Sequence, residues 1–376
     1  MKIAIVRREC GLGLGGAERY CANVSLGLLG AGHDVTVVAD RSTVTDVVFF
    51  RARVFGRGSI LKNLSFFYST KRVLEGSDFD CVYALSRVEG ADFLRISDPL
   101  HRAWLELGYE KRMLPFKLRR LLPRHMSILY QERRAIHSAR FLVTNSNLVK
   151  KQLSNHYGVS KERIFTIYNG VDLDRFRPLT SDERARARAA LGIADGECAI
   201  IFAGSDFRRK GLFCLMKALS SLKHAHRFRL LLLGLRPRKE ILKAAKRLKL
   251  LNRLLFLGYK SDAERYYQAG DILCLPTLYD PFANVCLEAM ACGIPVITTY
   301  TNGASEITGR LGKWSVVPAN DAMAIKKALS AFFEMDGSEQ RLLGKKAAGV
   351  ARAFSWKRHI EQLLRLFRLD DIKATK

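Results

Sequence analysis

The sequence predicts an α/β protein made of two βα domains with a cleft between them. Short apolar segments that end at Gly, Pro or Asp alternate along the chain with segments of helical apolar spacing, a pattern typical of parallel sheets covered by helices. The 376 residues are enough for two domains, each with its own core. A polar, turn-rich stretch at 169–178, NGVDLDRFRP, is the predicted linker.

In the first half, the predicted strands are residues 2–7, 34–39, 80–85, 93–97, 141–145 and 164–168. The first strand leads into a glycine-rich turn and then into a predicted helix over 17–31. Glycines at such a turn let the backbone approach a phosphate group. Gly11, Gly13 and Gly16 match G-x-G-x-x-G, and Asp40 ends the second strand, so NAD(P) binding is one alternative for this turn.

In the second half, the predicted strands are residues 199–203, 229–234, 254–257, 271–275 and 296–299. The strand at 199–203 is followed by GSDFRRKG, residues 204–211. This junction places Arg208, Arg209 and Lys210 where a diphosphate could lie, because guanidinium and ammonium groups both bind phosphate oxygens.

The stretch 274–299, CLPTLYDPFANVCLEAMACGIPVITT, predicts a strand, a short helix and another strand. Asp280 followed by Pro281 is typical of a helix start, and Gly293 of its end. An anion site at the helix N-terminus with Asp280 and Glu288 on the same helix suits a nucleotide diphosphate sugar. Taken singly, Asp280 is most simply explained as an N-cap and Glu288 as a solvated position on a helix face, and only their combination points to a ligand.

The net charge of +27 indicates an anionic partner, either nucleic acid, an anionic membrane surface or a phosphorylated acceptor. No RNA- or DNA-binding module is recognisable. Residues 101–134 mix basic residues with leucines and aromatics, which favours a segment that lies on anionic lipid; a solvated basic helix packed on the N-terminal domain is the alternative. The predicted membrane contacts are Lys117, Arg119, Arg120 and Arg124.

No apolar run reaches the roughly 20 residues of a membrane-spanning helix, and the N-terminus lacks a signal-peptide core, so we expect a cytoplasmic protein. The eight cysteines contain no CxxC pair and are expected to be reduced core thiols rather than zinc ligands. Asp172 and Asp174 could hold a metal, but in a linker they are better interpreted as turn-forming residues.

Five motifs, GLGLGGAERY, IYNGVDLDRFRP, GSDFRRKG, the acidic helix and FSW, extend over nearly the whole chain. With them the sequence resembles the family 4 glycosyltransferases of the GT-B fold, and within these the lipopolysaccharide core glucosyltransferase I group. The resemblance implies two Rossmann-like doubly wound parallel-sheet domains facing a cleft. It implies an acceptor-binding domain at 1–172, a nucleotide-sugar domain at 173–355 and a C-terminal helix, 356–376, that packs back on the first domain.

The resemblance also implies a site. Arg209 and Lys210 would bind the donor diphosphate, Glu288 the ribose and Asp280 the hydroxyls of the donor sugar. Asp98 is expected at the position of a catalytically important side chain, with His101 as the second choice. Further donor contacts are expected at Gly15, Gly16, Ser205, Phe282, Ala283 and Asn284. The family usually has glutamate at both acidic positions, so Asp280 is a departure that leaves the donor sugar open.

The implied activity is a retaining transfer of a hexose from UDP-glucose or a similar UDP-hexose to a lipid-linked or phosphorylated saccharide, such as the lipopolysaccharide core. The enzyme would work at the inner face of the cytoplasmic membrane, without metal or cofactor and without nucleic acid. A UDP-sugar epimerase of the same fold and an NAD(P)-dependent oxidoreductase are the alternatives.

Overall fold

The fold was obtained as a computed structural model that describes residues 1–12, 15–107, 118, 120–222 and 227–368. The chain divides into two compact units. The first comprises Met1–Gly170 together with the C-terminal segment from Trp356 onward, and the second comprises Val171–Ser355.

In the first unit the strands are β1 (Lys2–Val6), β2 (Glu9–Cys10), β3 (Asp34–Ala39), β4 (Arg41–Ser42), β5 (Val48–Arg51), β6 (Cys81–Ala84), β7 (Phe93–Ile96), β8 (Phe141–Thr144) and β9 (Ile164–Thr166). Its helices are α1 (Gly16–Gly30), α2 (Ser59–Glu75), α3 (His101–Leu107), α4 (Pro123–Ser138), α5 (Asn147–Tyr157) and α14 (Trp356–Phe367), with a 3₁₀ turn at Lys161–Arg163.

The main sheet of this unit is parallel and has the order β5-β3-β1-β6-β7-β8-β9. The chain moves outward in one direction from β1 to β5 and then returns to the other side of β1 at β6. This reversal is the topological switch point, where open α/β sheets bind ligands beyond the carboxyl ends of the strands.

Two apolar clusters cover the faces of this sheet. The C-terminal helix α14 contributes Ile360, Leu363, Leu366 and Phe367 to one of them. A buried polar contact reinforces this packing: His359 lies between the hydroxyl of Tyr20, 2.7 Å from Nε2, and the carbonyl of Tyr168, 2.6 Å from Nδ1. The helix α14 is therefore part of the first unit's core.

In the second unit the strands are β10 (Cys198–Ala203), β11 (Phe228–Leu233), β12 (Leu254–Gly258), β13 (Ile272–Leu275), β14 (Val296–Thr299) and β15 (Val316–Val317). The helices are α6 (Ser181–Ala190), α7 (Leu212–Ser220), α8 (Lys239–Arg247), α9 (Ala263–Ala269), α10 (Asn284–Ala291), α11 (Ser305–Thr308), α12 (Ala322–Glu334) and α13 (Gly337–Ala351). Short 3₁₀ turns lie at Leu251–Arg253, Gly309–Leu311, Lys313–Ser315 and Arg352–Phe354.

The second sheet is also parallel, with the order β12-β11-β10-β13-β14-β15. Its switch point lies between β10 and β13, which are neighbours through Ile200↔Ile272 and Ile201↔Leu273. Both units therefore have the strand order of a doubly wound Rossmann-like domain.

Each strand predicted from sequence is present, within two residues at either end. One prediction at the site is wrong. The helix expected to begin at Asp280 begins at Asn284, and its N-cap is Ala283, whose side chain forms no cap hydrogen bond. Asp280 lies instead in an extended segment, bridged to Asn302.

Candidate active site

In the second unit, two loops meet at the switch point of the sheet. The loop after β10 carries Ser205, Arg209 and Lys210, and the loop after β13 carries Asp280. The backbones of the two loops are joined, because the Leu278 N–H donates to the Arg209 carbonyl over 2.7 Å. Residues 70 positions apart in sequence are brought together in this way.

Two glycines of the first loop are needed for this approach. Gly211 has φ +80°, and a Cβ atom there would lie 2.0 Å from the carbonyl oxygen of Pro276. Gly204 has φ +140°, and its Cβ would lie 3.2 Å from Cγ of Lys210. A side chain at Gly211 would therefore separate the loops, and one at Gly204 would displace the lysine.

Arg209, Lys210 and Asp280 form a buried ionic cluster. Asp280 Oδ2 accepts from Lys210 Nζ at 2.6 Å and from Arg209 Nη1 at 2.7 Å. Asp280 is 7% exposed and Lys210 is 9% exposed. Burial alone would raise the pKa of Asp280, but Lys210 and Arg209 outweigh it, so the pKa of Asp280 is lowered and the group is a carboxylate at neutral pH.

The same cluster leaves hydrogen-bond donors for a ligand. Arg209 uses Nε for Asp206 and Nη1 for Asp280 and the Tyr279 carbonyl. Among the described residues, Arg209 Nη2 has no hydrogen-bond acceptor and is accessible to solvent, and Lys210 Nζ donates only to Asp280. Two N–H donors on each cation therefore remain for an anion, which suits the oxygens of a diphosphate.

Glu288, on α10, is half-buried and accepts a hydrogen bond from the hydroxyl of Tyr267 at 3.2 Å. Tyr267 is 1% exposed, and burial followed by the charge of Glu288 raises its pKa well above the usual value. The hydroxyl of Tyr267 therefore stays protonated and remains a hydrogen-bond donor to Glu288.

We expected Phe282 and Ala283 to contact the nucleotide-sugar donor, but their backbone N–H groups already donate hydrogen bonds within the protein. Phe282 donates to Asp280 Oδ1 at 3.2 Å, and Ala283 donates to Asn302 Oδ1 at 3.1 Å. Asn284 is the first residue of α10, and Ser205 is exposed. Side chains of the two loops therefore supply more of this site than the N–H groups before the helix.

In the first unit, a cavity of about 230 Å³ opens at the switch point between β1 and β6. Asp98 is at its rim, with a side chain that is 52% exposed, and its carboxylate lies 3.7 Å from Arg7 Nη1. Arg7 also donates to Glu18 at 3.0 Å and to the Leu85 carbonyl at 2.9 Å. Four arginines and four acids line this cavity, a mixed lining that suits a hydroxyl-rich ligand: Arg7, Arg8, Arg87, Arg95, Glu9, Glu18, Asp98 and Glu132.

His101, the second choice for a catalytic group, lies at the first residue of α3. Its Nε2 is 2.9 Å from Nδ1 of His125, and burial lowers its pKa to about 4. Gly15 and Gly16 are exposed at the N-terminus of α1, while Gly13 lies outside the described residues. The structure thus places Asp98, Gly15 and Gly16 in the first unit. Arg209, Lys210, Asp280 and Glu288 lie in the second.

Comparison with known proteins accounts for both units. The model of the Glycosyltransferase Family 4 domain matches residues 14–175, and the model of the group 1 glycosyl transferases matches residues 183–350. The chain is a glycosyltransferase of the GT-B type. The resemblance and the fold class inferred from the motifs are confirmed, and nicotinamide-dependent oxidoreduction is not the family activity.

Proteins similar to this glycosyltransferase match nearly its whole length. An uncharacterised glycosyltransferase of Methanocaldococcus jannaschii is 23% identical over 98% of each chain. The structure is similar to that of WaaG, a glycosyltransferase involved in lipopolysaccharide biosynthesis, with a TM-score of 0.83, 19% identity and coverage of 98% and 100% of the two chains. HepE of Anabaena, solved with UDP and glucose, has a TM-score of 0.74 at 18% identity, with coverage of 98% and 100%.

The basic segment of the glycosyltransferase is only partly described. Lys117 and Arg119 lie outside the described residues. Arg120 and Arg124 are exposed. Exposed apolar side chains accompany them at Leu118, Leu121, Leu122, Met126 and Tyr130. No helix among the described residues is long and apolar enough to cross a membrane.

Sequence reasoning missed three residues that contact members of the candidate site. Asn302 accepts a hydrogen bond from the Ala283 N–H, and Tyr267 donates one to Glu288. Arg7 forms ion pairs with both Glu18 and Asp98. Only Arg7 carried a signal, since it directly follows the first strand. Asp172 accepts from the N–H groups of Asp174 and Arg175, both at 3.1 Å, and so stabilises a turn in the linker, as expected for this residue.

Proposed function

We propose that this glycosyltransferase moves a hexose from a UDP-sugar, UDP-glucose or a similar UDP-hexose, to a lipid-linked saccharide acceptor. The observation that carries the proposal is the cluster of Arg209 and Lys210 at the switch point of the second sheet, with donors left for a diphosphate. HepE, a protein of the same fold, was solved with UDP and glucose, which supports a uridine nucleotide as the first ligand to test.

In the proposed reaction, Arg209 and Lys210 bind the diphosphate and stabilise the negative charge that builds on it as the bond to the sugar breaks. Preorganised donors of this kind lower the barrier without a metal ion. Glu288, oriented by Tyr267, accepts from the ribose hydroxyls, and Asp280, Ser205 and Asn284 lie beside the donor.

The configuration at the sugar carbon is proposed to be retained, as the resemblance implies. The acceptor hydroxyl attacks on the face from which the diphosphate leaves. The new glycosidic bond forms as the bond to the diphosphate breaks, and a diphosphate oxygen takes the hydroxyl proton. Asp98, at the rim of the first unit's cavity, contacts the acceptor, and Gly15 and Gly16 contact the donor.

The acceptor is proposed to be the lipopolysaccharide core, because WaaG, whose fold is shared, is involved in lipopolysaccharide biosynthesis. The net charge of +27 and the exposed Arg120 and Arg124 beside Leu121 and Leu122 support attachment to an anionic membrane surface. We therefore propose a peripheral enzyme on the inner face of the cytoplasmic membrane.

Calorimetric titration of the purified protein tests which nucleotide the donor carries. The ligands are UDP, GDP, ADP and CMP and the corresponding nucleotide sugars. We expect UDP and UDP-glucose to bind, and Lys210→Met to weaken both because a charged hydrogen bond is worth about 1.5–3 kcal/mol. Lys327→Met is the matched control, since Lys327 is an exposed lysine of the same unit that lies on α12, outside the two loops. Unchanged binding in Lys210→Met would remove the cation site from the proposal.

A second assay separates transfer from epimerisation. UDP-glucose is incubated with and without core oligosaccharide, and the products are identified by NMR. Transfer requires the acceptor and gives an α-linked product from the α-linked donor. Conversion of UDP-glucose to another sugar in the absence of acceptor would instead identify an epimerase.

A further inference from the structure

Exposed apolar side chains gather at one edge of the first unit's main sheet, in β5 and the turn that leads to α2. The members of this aromatic surface are Val48, Phe49, Phe50, Phe55 and Leu61. We infer that the aromatic surface inserts into an anionic lipid bilayer. The inference rests on the proposed attachment to an anionic membrane, and it adds a contact that lies outside the basic segment 101–134.

The strand β5 exposes apolar side chains on both of its faces. It is the last strand on its side of the sheet, where Phe49 and Phe50 are in register with Val37 and Val38 of β3. Phe49 is 41% exposed and Phe50 is 48% exposed, and successive residues of a strand point to opposite faces. Edge strands of proteins that stay in water usually carry charges at such positions. The apolar side chains of β5 therefore indicate contact with a second, apolar surface.

The turn after β5 fixes the backbone of Phe55, a residue that is 62% exposed. Ser65 Oγ accepts from the Phe55 N–H at 2.9 Å and lies 3.0 Å from its carbonyl oxygen. Gly56 has φ +93°, and a Cβ atom there would lie 2.6 Å from Cβ of Leu61, so the turn packs closely against the start of α2. Phe55 and Leu61 are thus exposed on a fixed backbone, which suits insertion into the apolar layer of a membrane.

The charges around the aromatic surface favour an anionic partner. No Asp or Glu occurs between Asp46 and Glu75, whereas this stretch contains the basic residues Arg51, Arg53, Arg57, Lys62, Lys71 and Arg72. Arg53, Arg57 and Lys62 are exposed and form no ion pair with an acid in the part of the chain that the structure describes. Basic residues beside apolar ones bind anionic headgroups while the apolar side chains enter the layer below. A second copy of this chain would instead bring like charges together, which is unfavourable.

The aromatic surface continues along α2 toward the basic segment. Tyr68 is exposed and follows Leu61 by about two helical turns, so both residues lie on the same face of α2. The hydroxyl of Tyr68 is hydrogen-bonded to Tyr130 of α4, and α2 packs against α4. Tyr130 and Met126 are exposed as well. A bilayer can therefore contact the aromatic surface and the α4 end of the basic segment together.

A tryptophan placed in the aromatic surface tests insertion directly. Phe50→Trp is mixed with phosphatidylglycerol vesicles whose acyl chains carry bromine, which quenches an indole only at short range. We expect quenching beyond that of the wild type, whose own tryptophans are Trp104, Trp314 and Trp356. Leu342→Trp, at an exposed position of the second unit, is the matched control and should add no quenching.

A second experiment measures the contribution of the aromatic surface to affinity. We expect the replacement of Phe49, Phe50 and Phe55 by Gln to weaken co-sedimentation with phosphatidylglycerol vesicles at least about tenfold, the factor that burial of a single phenylalanine ring supplies. The loss should persist at high salt, because salt screens the attraction between exposed charges and not the burial of apolar rings. Attachment through the basic segment alone would disappear at high salt in every variant.

The control for this experiment replaces three exposed apolar residues of the second unit by Gln, namely Leu251, Met323 and Leu342. It should bind vesicles as the wild type does. Both triple variants should also bind UDP as the wild type does, because the replaced side chains are exposed and the fold does not depend on them.

Three results would overturn the inference. If Phe50→Trp adds no quenching, or if the triple phenylalanine variant binds vesicles as tightly as the wild type, the aromatic surface does not enter the membrane, and the proposed attachment through the basic segment stands. If sedimentation shows a wild-type dimer and a monomeric phenylalanine variant, the aromatic surface is an interface between two copies. If the wild type binds no vesicles, the proposed attachment fails and the inference fails with it.

Discussion

The hydroxyl of Tyr267 donates to Glu288 Oε2 across 3.2 Å, from a ring that is almost wholly buried beneath α10. The tyrosine lies on α9 and the glutamate on the next helix. This hydrogen bond fixes the orientation of one carboxylate oxygen, so Glu288 is preoriented for the ribose contact proposed above.

Replacing Tyr267 by Phe removes this hydrogen bond and little else. We expect UDP binding to weaken between about twofold and tenfold, in line with a net contribution of about 0.5–1.5 kcal/mol for one hydrogen bond. Calorimetry with UDP measures the effect. An unchanged Kd would show that the tyrosine does not orient the ribose-binding group.

A matched control is Tyr266→Phe, because Tyr266 precedes Tyr267 on α9 and its hydroxyl forms no hydrogen bond among the described residues. This variant keeps the hydroxyl of Tyr267. We expect Tyr266→Phe to bind UDP as the wild type does, and both variants to melt within a few degrees of the wild type.

The fold could be predicted from sequence because each buried strand of a parallel sheet is recognisable in the sequence as a short apolar segment. The strands at 34–39 and 296–299 were placed to the residue. The exposed edge strand Val48–Arg51 and the two-residue strands carried no such signal, since periodicity needs length and burial.

The site was predicted less completely, and for a physical reason. Arg209, Lys210 and Glu288 were found as motif residues, but the pairing of Asp280 with both cations depends on the meeting of two loops. The local pattern Asp-Pro favoured a helix cap. The cross-loop ion pairs and the bridge to Asn302 give Asp280 other partners, and the helix begins only at Asn284.

Asp98 is half-exposed at the rim of a cavity in the first unit, in contact with Arg7 at 3.7 Å. We expect Asp98→Asn to lower kcat for transfer at least tenfold and to leave UDP binding unchanged, because the diphosphate cations belong to the second unit. Steady-state kinetics and calorimetry on the same sample make the comparison. Weaker UDP binding would contradict the assignment of Asp98 to the acceptor.

The buried His359 should make the stability of this protein sensitive to acid. Burial, with a smaller effect from Arg95, lowers its pKa to about 3, whereas an unfolded histidine has a pKa near 6.5. Below pH 6.5 the unfolded state binds the proton first, so this stabilisation is complete above pH 6.5 and is lost progressively toward pH 3. At pH 5 the loss is about 2 kcal/mol.

Urea unfolding at pH 7 and pH 5 tests this dependence. In His359→Gln the fall in the free energy of unfolding between the two pH values should be smaller by about 2 kcal/mol. His137→Gln, at an exposed position of α4, is the control and should keep the wild-type fall. Equal falls in all three proteins would show that His359 does not titrate as its burial requires.

Membrane attachment is tested by removing charge from the basic segment. We expect the replacement of Lys117, Arg119, Arg120 and Arg124 by Gln to weaken binding to phosphatidylglycerol vesicles by about a thousandfold, at about 1 kcal/mol for each charge near the surface. Co-sedimentation measures the binding. The control removes the same number of charges from α8 of the second unit, at the exposed residues Lys239, Lys243, Lys246 and Arg247. If both variants lose binding equally, net charge rather than the basic segment holds the enzyme on the membrane.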